Sequence, residues 1–287
     1  MANILQFFVQ STIRSGLYAL VAIGFTLIFG VGGVLNLAHG ASILVGAYGV
    51  YFSVSVLGLP TAVGFLAGVA AAGVFGAILY LGLIEQFTTE PIMVMILTLV
   101  TSIAVELLVL NTAGAQPVAI PQFASGNFSL AGTNVQFNQL AIFVISWVII
   151  GALFAFINYT RTGKAILAVS MSEKGASLVG IDSHRINLIT WVIAGALAGV
   201  AGIALGSQLA ASPVLGRTPL VLSFSIVVLG GIGSIRGSVV GAYLIGFLEV
   251  FVIQFVSSDL SGIAPLVVLV LALLVKPEGL FGRELAE

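Results

Sequence analysis

The sequence predicts an all-α integral membrane protein, a polytopic helical bundle of about eight to nine transmembrane helices. Three observations carry that reading. Of the 287 residues 60% are hydrophobic and only 7% charged, with a mean hydropathy of +1.23. An ordinary soluble domain carries roughly 25% charged residues and cannot hide this much apolar surface. Apolar runs approaching the ~20 residues that a bilayer-crossing helix needs recur along the whole chain. The charges are segregated as well: no Asp, Glu, Lys or Arg lies between Arg14 and Glu85, whereas Arg161, Lys164, Glu173, Lys174, Asp182 and Arg185 crowd into one internal segment.

In chain order the apolar runs cover residues 8–29, 38–57, 62–84, 92–110, 140–159, 187–208, 220–232, 239–255 and 262–275. Helices are the reading for each, because backbone polar groups in hydrocarbon must be satisfied within the segment. Alternating short strands of the porin kind are absent from the sequence. Glycine is abundant at 35 residues and often falls four apart, as in Gly64/Gly68, Gly195/Gly199, Gly202/Gly206 and Gly237/Gly241. Small residues at that spacing let helices approach closely in lipid.

Basic residues in short loops set the orientation. Arg161, Lys164, Lys174 and Arg185 place their segment in the cytoplasm, and Lys276 with Arg283 place the C-terminus there too. The uncharged stretch 111–139 then reads as exterior. The 85–90 loop reads as cytoplasmic, although it holds two acids and no base. Nine spans put the N-terminus outside; the count is eight if a glycine-rich stretch, 30–40 or 230–237, dips in and returns. The first eleven residues lack a basic region and a small-residue cleavage site, so insertion is expected to rest on the first helix.

Several chemistries are not expected. A net charge of -1 offers nothing for nucleic acid, and without cysteine there is no thiolate catalysis or disulfide. No Gly-x-x-x-x-Gly-Lys-Ser/Thr loop and no His-Glu-x-x-His pair occurs. The glycines Gly231, Gly233 and Gly237 join two apolar runs rather than a strand and a helix, so they read as a sharp turn at the membrane surface. Two acids lie inside apolar runs: Glu249 near the middle of 239–255 and Glu106 in the outer part of 92–110. An ionised side chain at the bilayer centre costs ~3 kcal/mol or more. Each is therefore a functional candidate, or a buried carboxyl hydrogen-bonded to a neighbouring helix.

Within the charged segment, 163–181 reads as one short amphipathic helix. It carries Ala165, Leu167 and Ala168, then Ala176, Leu178 and Val179, and is ended by Gly180. Such a helix at the cytoplasmic surface suits docking into a partner's groove, or resting on lipid headgroups.

The residues also carry a resemblance. The stretches Gly16-Leu-Tyr-Ala-Leu-Val-Ala-Ile-Gly-Phe-Thr-Leu-Ile-Phe-Gly30, Leu35-Asn36-Leu37-Ala38-His39-Gly40, Gly46-Ala47-Tyr48, Ala176-Ser177-Leu178-Val179-Gly180-Ile181, Val228-Leu229-Gly230-Gly231-Ile232-Gly233-Ser234 and Lys276-Pro277-Glu278-Gly279-Leu280-Phe281-Gly282 occur in one order from end to end. In them the chain resembles the permease subunits of branched-chain amino acid ABC importers, the LivH-like family. The resemblance implies one permease domain over 1–287 in the cell membrane, multi-pass and not an enzyme, with a cytoplasmic coupling segment at about 160–186. It implies pairing with a second homologous permease subunit, docking of two cytoplasmic ABC ATPase subunits, and delivery of substrate by an extracytoplasmic binding protein. It further implies that ATP is used by the partner subunits and that no cofactor is bound by this chain. Glu173, Lys174, Gly175, Ala176, Gly180 and Ile181 fall in the ATPase-coupling region. Asn36, His39, Gly40, Gly230, Gly231, Gly233 and Glu249 are the candidates for the translocation pathway.

Leucine, isoleucine and valine are the family's default substrates; urea, short amides or other amino acids are the alternatives. A stand-alone secondary carrier would instead depend on Glu249 or Glu106. Two departures stand out. Relatives carry arginine where this chain has Ile84-Glu85-Gln86 and Thr89-Glu90-Pro91, and a neutral amide where it has Glu106.

Overall fold

The computed structural model describes residues 2–88, 90–130, 133–276 and 278–281. Arg283, used above for orientation, lies outside the described residues, as do Thr89, Pro277 and Gly282 of the quoted motifs. Each of the nine apolar runs becomes a helix. They are α1 (Ala2–Gly32), α2 (His39–Tyr51), α3 (Thr61–Leu79), α4 (Pro91–Ala113), α5 (Phe137–Tyr159), α8 (Ser183–Leu209), α9 (Arg217–Gly230), α10 (Ile235–Phe251) and α11 (Ile263–Val275). Single π-helical turns extend α2 (Phe52–Val56), α3 (Tyr80–Ile84) and α10 (Val252–Val256). Among the described residues seven helices are long and apolar enough to cross a membrane; α9 and α11, at 14 and 13 residues, are shorter.

Burial separates the centre of the bundle from its rim. The apolar windows of α1, α2 and α8 are 78%, 61% and 67% buried, against 22–33% for α3, α4, α5 and α10. Glycine explains how the centre closes. A Cβ on Gly202 of α8 would fall on the Ile43 carbonyl oxygen, one on Gly199 against the Ala72 side chain, one on Gly195 on the Ala72 carbonyl, and one on Gly46 on the Gly199 backbone. Backbone therefore lies against backbone where α8 crosses α2 and α3, the mode of contact that replaces hydrophobic drive in lipid.

Two ends of the bundle can be told apart. At one end α5 runs into α6 (Arg161–Met171) and α7 (Glu173–Leu178), after which α8 starts, and His184 Nδ1 lies 2.9 Å from Glu85 Oε1. The 85–90 loop thus shares its end with the charged segment, and a histidine from that segment stands beside the acid that has no base of its own. At the other end the 111–139 stretch caps the C-terminus of α8. Val118 and Ala211 exchange backbone hydrogen bonds, Asn138 donates to Ser207, and β1 (Asn127–Leu130) pairs antiparallel with β2 (Thr133–Gln136).

The returning stretches are not all where the glycines suggested. Beyond α1 the chain turns back, so that His39 donates from Nε2 to the Val21 carbonyl at 2.9 Å, eleven residues up α1 from Gly32. The 230–237 stretch, by contrast, is a tight turn at the charged end: Gly233 lies on Gly30, and Gly230 on Gly237. The other returns are 210–216, where Gly216 lies on Gly40, and 257–262, where Ser261 donates to Glu249; they lead into α9 and α11. The 163–181 reading is also corrected. It is two helices rather than one, because Ser172 is extended and its hydroxyl accepts from Gly175 N–H at 3.0 Å, capping a new helix. The face packed inward is Gly163, Ile166, Val169 and Ala176, whereas Leu167, Leu178 and Val179 point outward.

Replacing Gly202 with Ala is expected to destabilise the protein by about 1–3 kcal/mol, the range for overpacking. Gly151 of α5 has nothing within 4 Å of an added Cβ, so Gly151→Ala is expected to be neutral. Thermal unfolding in detergent reads both.

Candidate functional site

Where α9 and α11 stop short, space remains. A cavity of about 800 Å³ lies between α1, the C-terminal end of α8, the returning stretch before α9, α10 and the start of α11. That volume falls in the range of small-molecule sites. Pro117 and Gln139, from the end of the bundle opposite the charged segment, also line it. Leu17, Leu205, Leu215 and Leu222 supply apolar wall, while Arg14, Tyr18, Gln208, Thr218, Glu249 and Ser261 supply polar groups.

Glu249, 5% exposed, is held by its neighbours. The Tyr18 hydroxyl donates to one carboxylate oxygen and the Ser261 hydroxyl to the other, the latter at 3.3 Å. The guanidinium carbon of Arg14 stands 5.9 Å from the centre of the Tyr18 ring, a cation–π distance. The π-helical turn directly after α10 swings Ile253 and Gln254 onto the same wall. Ala210, also on the wall, has φ 60° and ψ 152°, a region populated essentially by glycine and strained by about 1–3 kcal/mol for other residues.

Glu106 is also partnered. Arg217, the first residue of α9, donates to both of its carboxylate oxygens, from Nη2 at 2.7 Å and from Nε at 3.1 Å. The Arg217 side chain is 68% exposed and that of Glu106 14%. Fourteen residues of helix span about 21 Å, and Gly230 at the far end of α9 is at the charged end. The pair therefore sits within the apolar zone, on the outer face of α4 and α9.

At the charged end α6 begins at a Thr160 cap, whose hydroxyl accepts from Gly163 N–H at 2.9 Å. A small cavity of about 40 Å³ shows how closely it docks: Ile166 and Ser170 stand with Thr26 and Gly30 of α1 and with Gly233 and Ile235 around it. α7 buries only Ala176 and leaves Glu173, Lys174, Gly175, Leu178 and Val179 to solvent. Gly180 then takes φ +82°, and Ile181 N–H returns to the Ala176 carbonyl at 3.0 Å. This left-handed closure needs glycine. The Asp182 carboxylate caps α8 by accepting from Arg185 N–H at 3.2 Å.

Residues 7–273 match the family described as branched-chain amino acid transport system / permease component. The chain belongs to this family. High-affinity branched-chain amino acid transport system permease protein LivH of Escherichia coli K12 is 33% identical, over 93% of this chain and 91% of that one. BraD of Pseudomonas aeruginosa, of the same description, is 31% identical over 97% and 96%. The ribose import permease protein RbsC of Escherichia coli K12 is 28% identical over 95% and 84%. Among solved structures, PsaBC from Streptococcus pneumoniae in complex with Fab shares the fold, with TM-score 0.53, 12% identity and coverage of 95% and 92%.

Of the pathway candidates of this permease, only Glu249 lines the large cavity. His39 is 1% exposed, donates to Val21 and meets the Phe25 ring edge-on. Asn36, 2% exposed, accepts from Ala38 N–H at 2.9 Å. Gly40 lies on Gly216, while Gly230, Gly231 and Gly233 belong to the turn at the charged end, where Gly231 also meets Gly279. Sequence reasoning missed Arg14, Tyr18 and Ser261; a charge inside the first apolar run was the one signal available. Ala210→Gly is expected to raise the unfolding temperature, by relief of about 1 kcal/mol of backbone strain, and thermal unfolding in detergent checks it.

Proposed function

We propose that the chain is the membrane-spanning subunit of an ATP-driven importer of branched-chain amino acids. One observation carries the reading: the family match over 7–273, whose description names branched-chain amino acid transport, together with 31–33% identity to LivH of Escherichia coli and BraD of Pseudomonas aeruginosa over more than nine-tenths of the chain. Two cytoplasmic ATPase subunits supply the energy, an extracytoplasmic binding protein delivers the solute, and a second homologous permease completes the pathway.

Three features support these partners. The exposed Leu178 and Val179, at 81% and 76%, sit on a charged surface beside Glu173 and Lys174. That combination suits a protein groove. Contact of α6 with α1 and the start of α10 gives the ATPases a mechanical route into the bundle. On the α4–α9 face, a guanidinium exposed at bilayer depth would be costly against lipid, ~3 kcal/mol or more; a second permease covers it.

The test is reconstitution with candidate ATPases and binding protein in proteoliposomes. Labelled leucine is expected to enter only with ATP, and excess ribose is not expected to compete. Uptake without nucleotide would overturn the importer reading in favour of a secondary carrier. Gly180→Val removes the one residue type that suits φ +82°, and is expected to abolish uptake with membrane insertion intact. Leu178→Asp is expected to weaken co-purification of the ATPases about tenfold or more, as for a buried contact residue.

A further inference from the structure

Arg14 and Glu249 are opposite charges on the walls of one cavity inside the apolar zone, and their arrangement is not that of an ion pair. Among the described residues the close acid–base contacts are His184–Glu85 and Arg217–Glu106. Tyr18 stands between the two charges, its ring beneath Arg14 and its hydroxyl donating to Glu249. Ser261 holds the second oxygen of Glu249 in place. A carboxylate oriented by two hydroxyl donors and a guanidinium stacked beside it thus face one space of about 800 Å³. The rest of that wall includes Leu17, Leu205, Leu215 and Leu222.

A solute that matches these walls carries one negative and one positive group on a short backbone, with an aliphatic side chain. The geometry points to Arg14 and Glu249 as the two poles of a transient site for a zwitterionic aliphatic α-amino acid: carboxylate on Arg14, ammonium on Glu249, side chain against the leucines. This assignment rests on the importer reading above and specifies which chemistry its membrane pathway recognises. Charge-assisted bonds to both ends distinguish such a solute from a sugar or a neutral amide, neither of which brings an anion and a cation. The N-terminus of α9, with Thr218 on the wall, adds a positive end to the same space. The site is built from α1, α8, α9, α10 and the start of α11, so it lies within one subunit.

The experiment uses this chain purified with its partner subunits and a photo-reactive diazirine analogue of leucine. After irradiation, labelled peptides are mapped by mass spectrometry. Label is expected on the α1 and α10 peptides that carry Arg14 and Glu249. Leucine is expected to displace it. Isoamylamine, which lacks the carboxylate, and 4-methylpentanoate, which lacks the amine, are not. Arg14→Gln and Glu249→Gln are each expected to cut the labelling about ten- to a hundredfold, the effect of losing one hydrogen bond to a charged group. Both are compared with the wild type only after elution at the assembled size.

Label elsewhere, or equal displacement by either single-charge analogue, overturns the site. Those competitions use the wild-type chain, so a variant that fails to assemble leaves the decision standing. ATP-dependent leucine uptake without cavity labelling overturns the site and leaves the importer reading intact. Zwitterion-selective labelling without ATP-dependent uptake does the reverse.

Discussion

The close approach of α8 to α2 and α3 is the contact on which the rest of the structure depends. Lipid tails are as apolar as leucine, so burying side chains gives two helices little reason to associate in a membrane. Here the backbones meet instead. Gly195, Gly199 and Gly202 let α8 lie on Ala72 and Ile43, and Gly46 and Gly68 do the same for α2 and α3. With α8 fixed at the centre, α1 lies against it through Gly24, whose Cβ position falls beside the Ala194 carbonyl. Four helices thereby form a block with little freedom to slide.

The cavity follows from what that block leaves uncovered. α9 and α11 are too short to reach the far end and are brought in by returning segments, so the outer half between α1 and α10 has no full-length helix to fill it. Polar groups collect there because they have somewhere to go: Glu249 is hydrogen-bonded twice, and Arg14 rests on Tyr18. Several buried hydroxyls elsewhere in the bundle find partners. Thr26 donates to Ser238 between α1 and α10, and Ser146 and Thr190 donate back to their own helices.

Much of this was legible in the sequence, and the limits have physical causes. Nine apolar runs became nine helices because hydrocarbon leaves the backbone no alternative. The glycine pairs four apart became contacts because helices in lipid associate through close backbone packing. Depth was not legible: composition cannot tell a glycine turn at the surface, such as 230–237, from a return into the interior, such as 210–216, which lacks a glycine run. Glu249 announced itself by its cost in lipid, whereas Tyr18 and Ser261 are unremarkable letters until the fold brings them 231 and 12 residues across the chain to the same carboxylate. The amphipathic reading of 163–181 failed at Ser172 because a local cap outweighed a periodic pattern. Asn36 and His39 were candidates through the motif that carries the resemblance, and their partners prove to be backbone groups.

The two working ends are joined by one element. α8 follows Gly180 and the Asp182 cap at the charged end and runs 27 residues, about 40 Å, to Leu205, Gln208 and the strained Ala210 on the cavity wall. Its sides are held along much of that length: Gly76 of α3 meets the Trp191 carbonyl, Gly195, Gly199 and Gly202 meet α2 and α3, and Gly206 meets Ile120. Glycine at φ +82° lets the chain turn from α7 into α8 within residues 179–182, so the charged surface and the cavity wall are ends of one continuously packed helix.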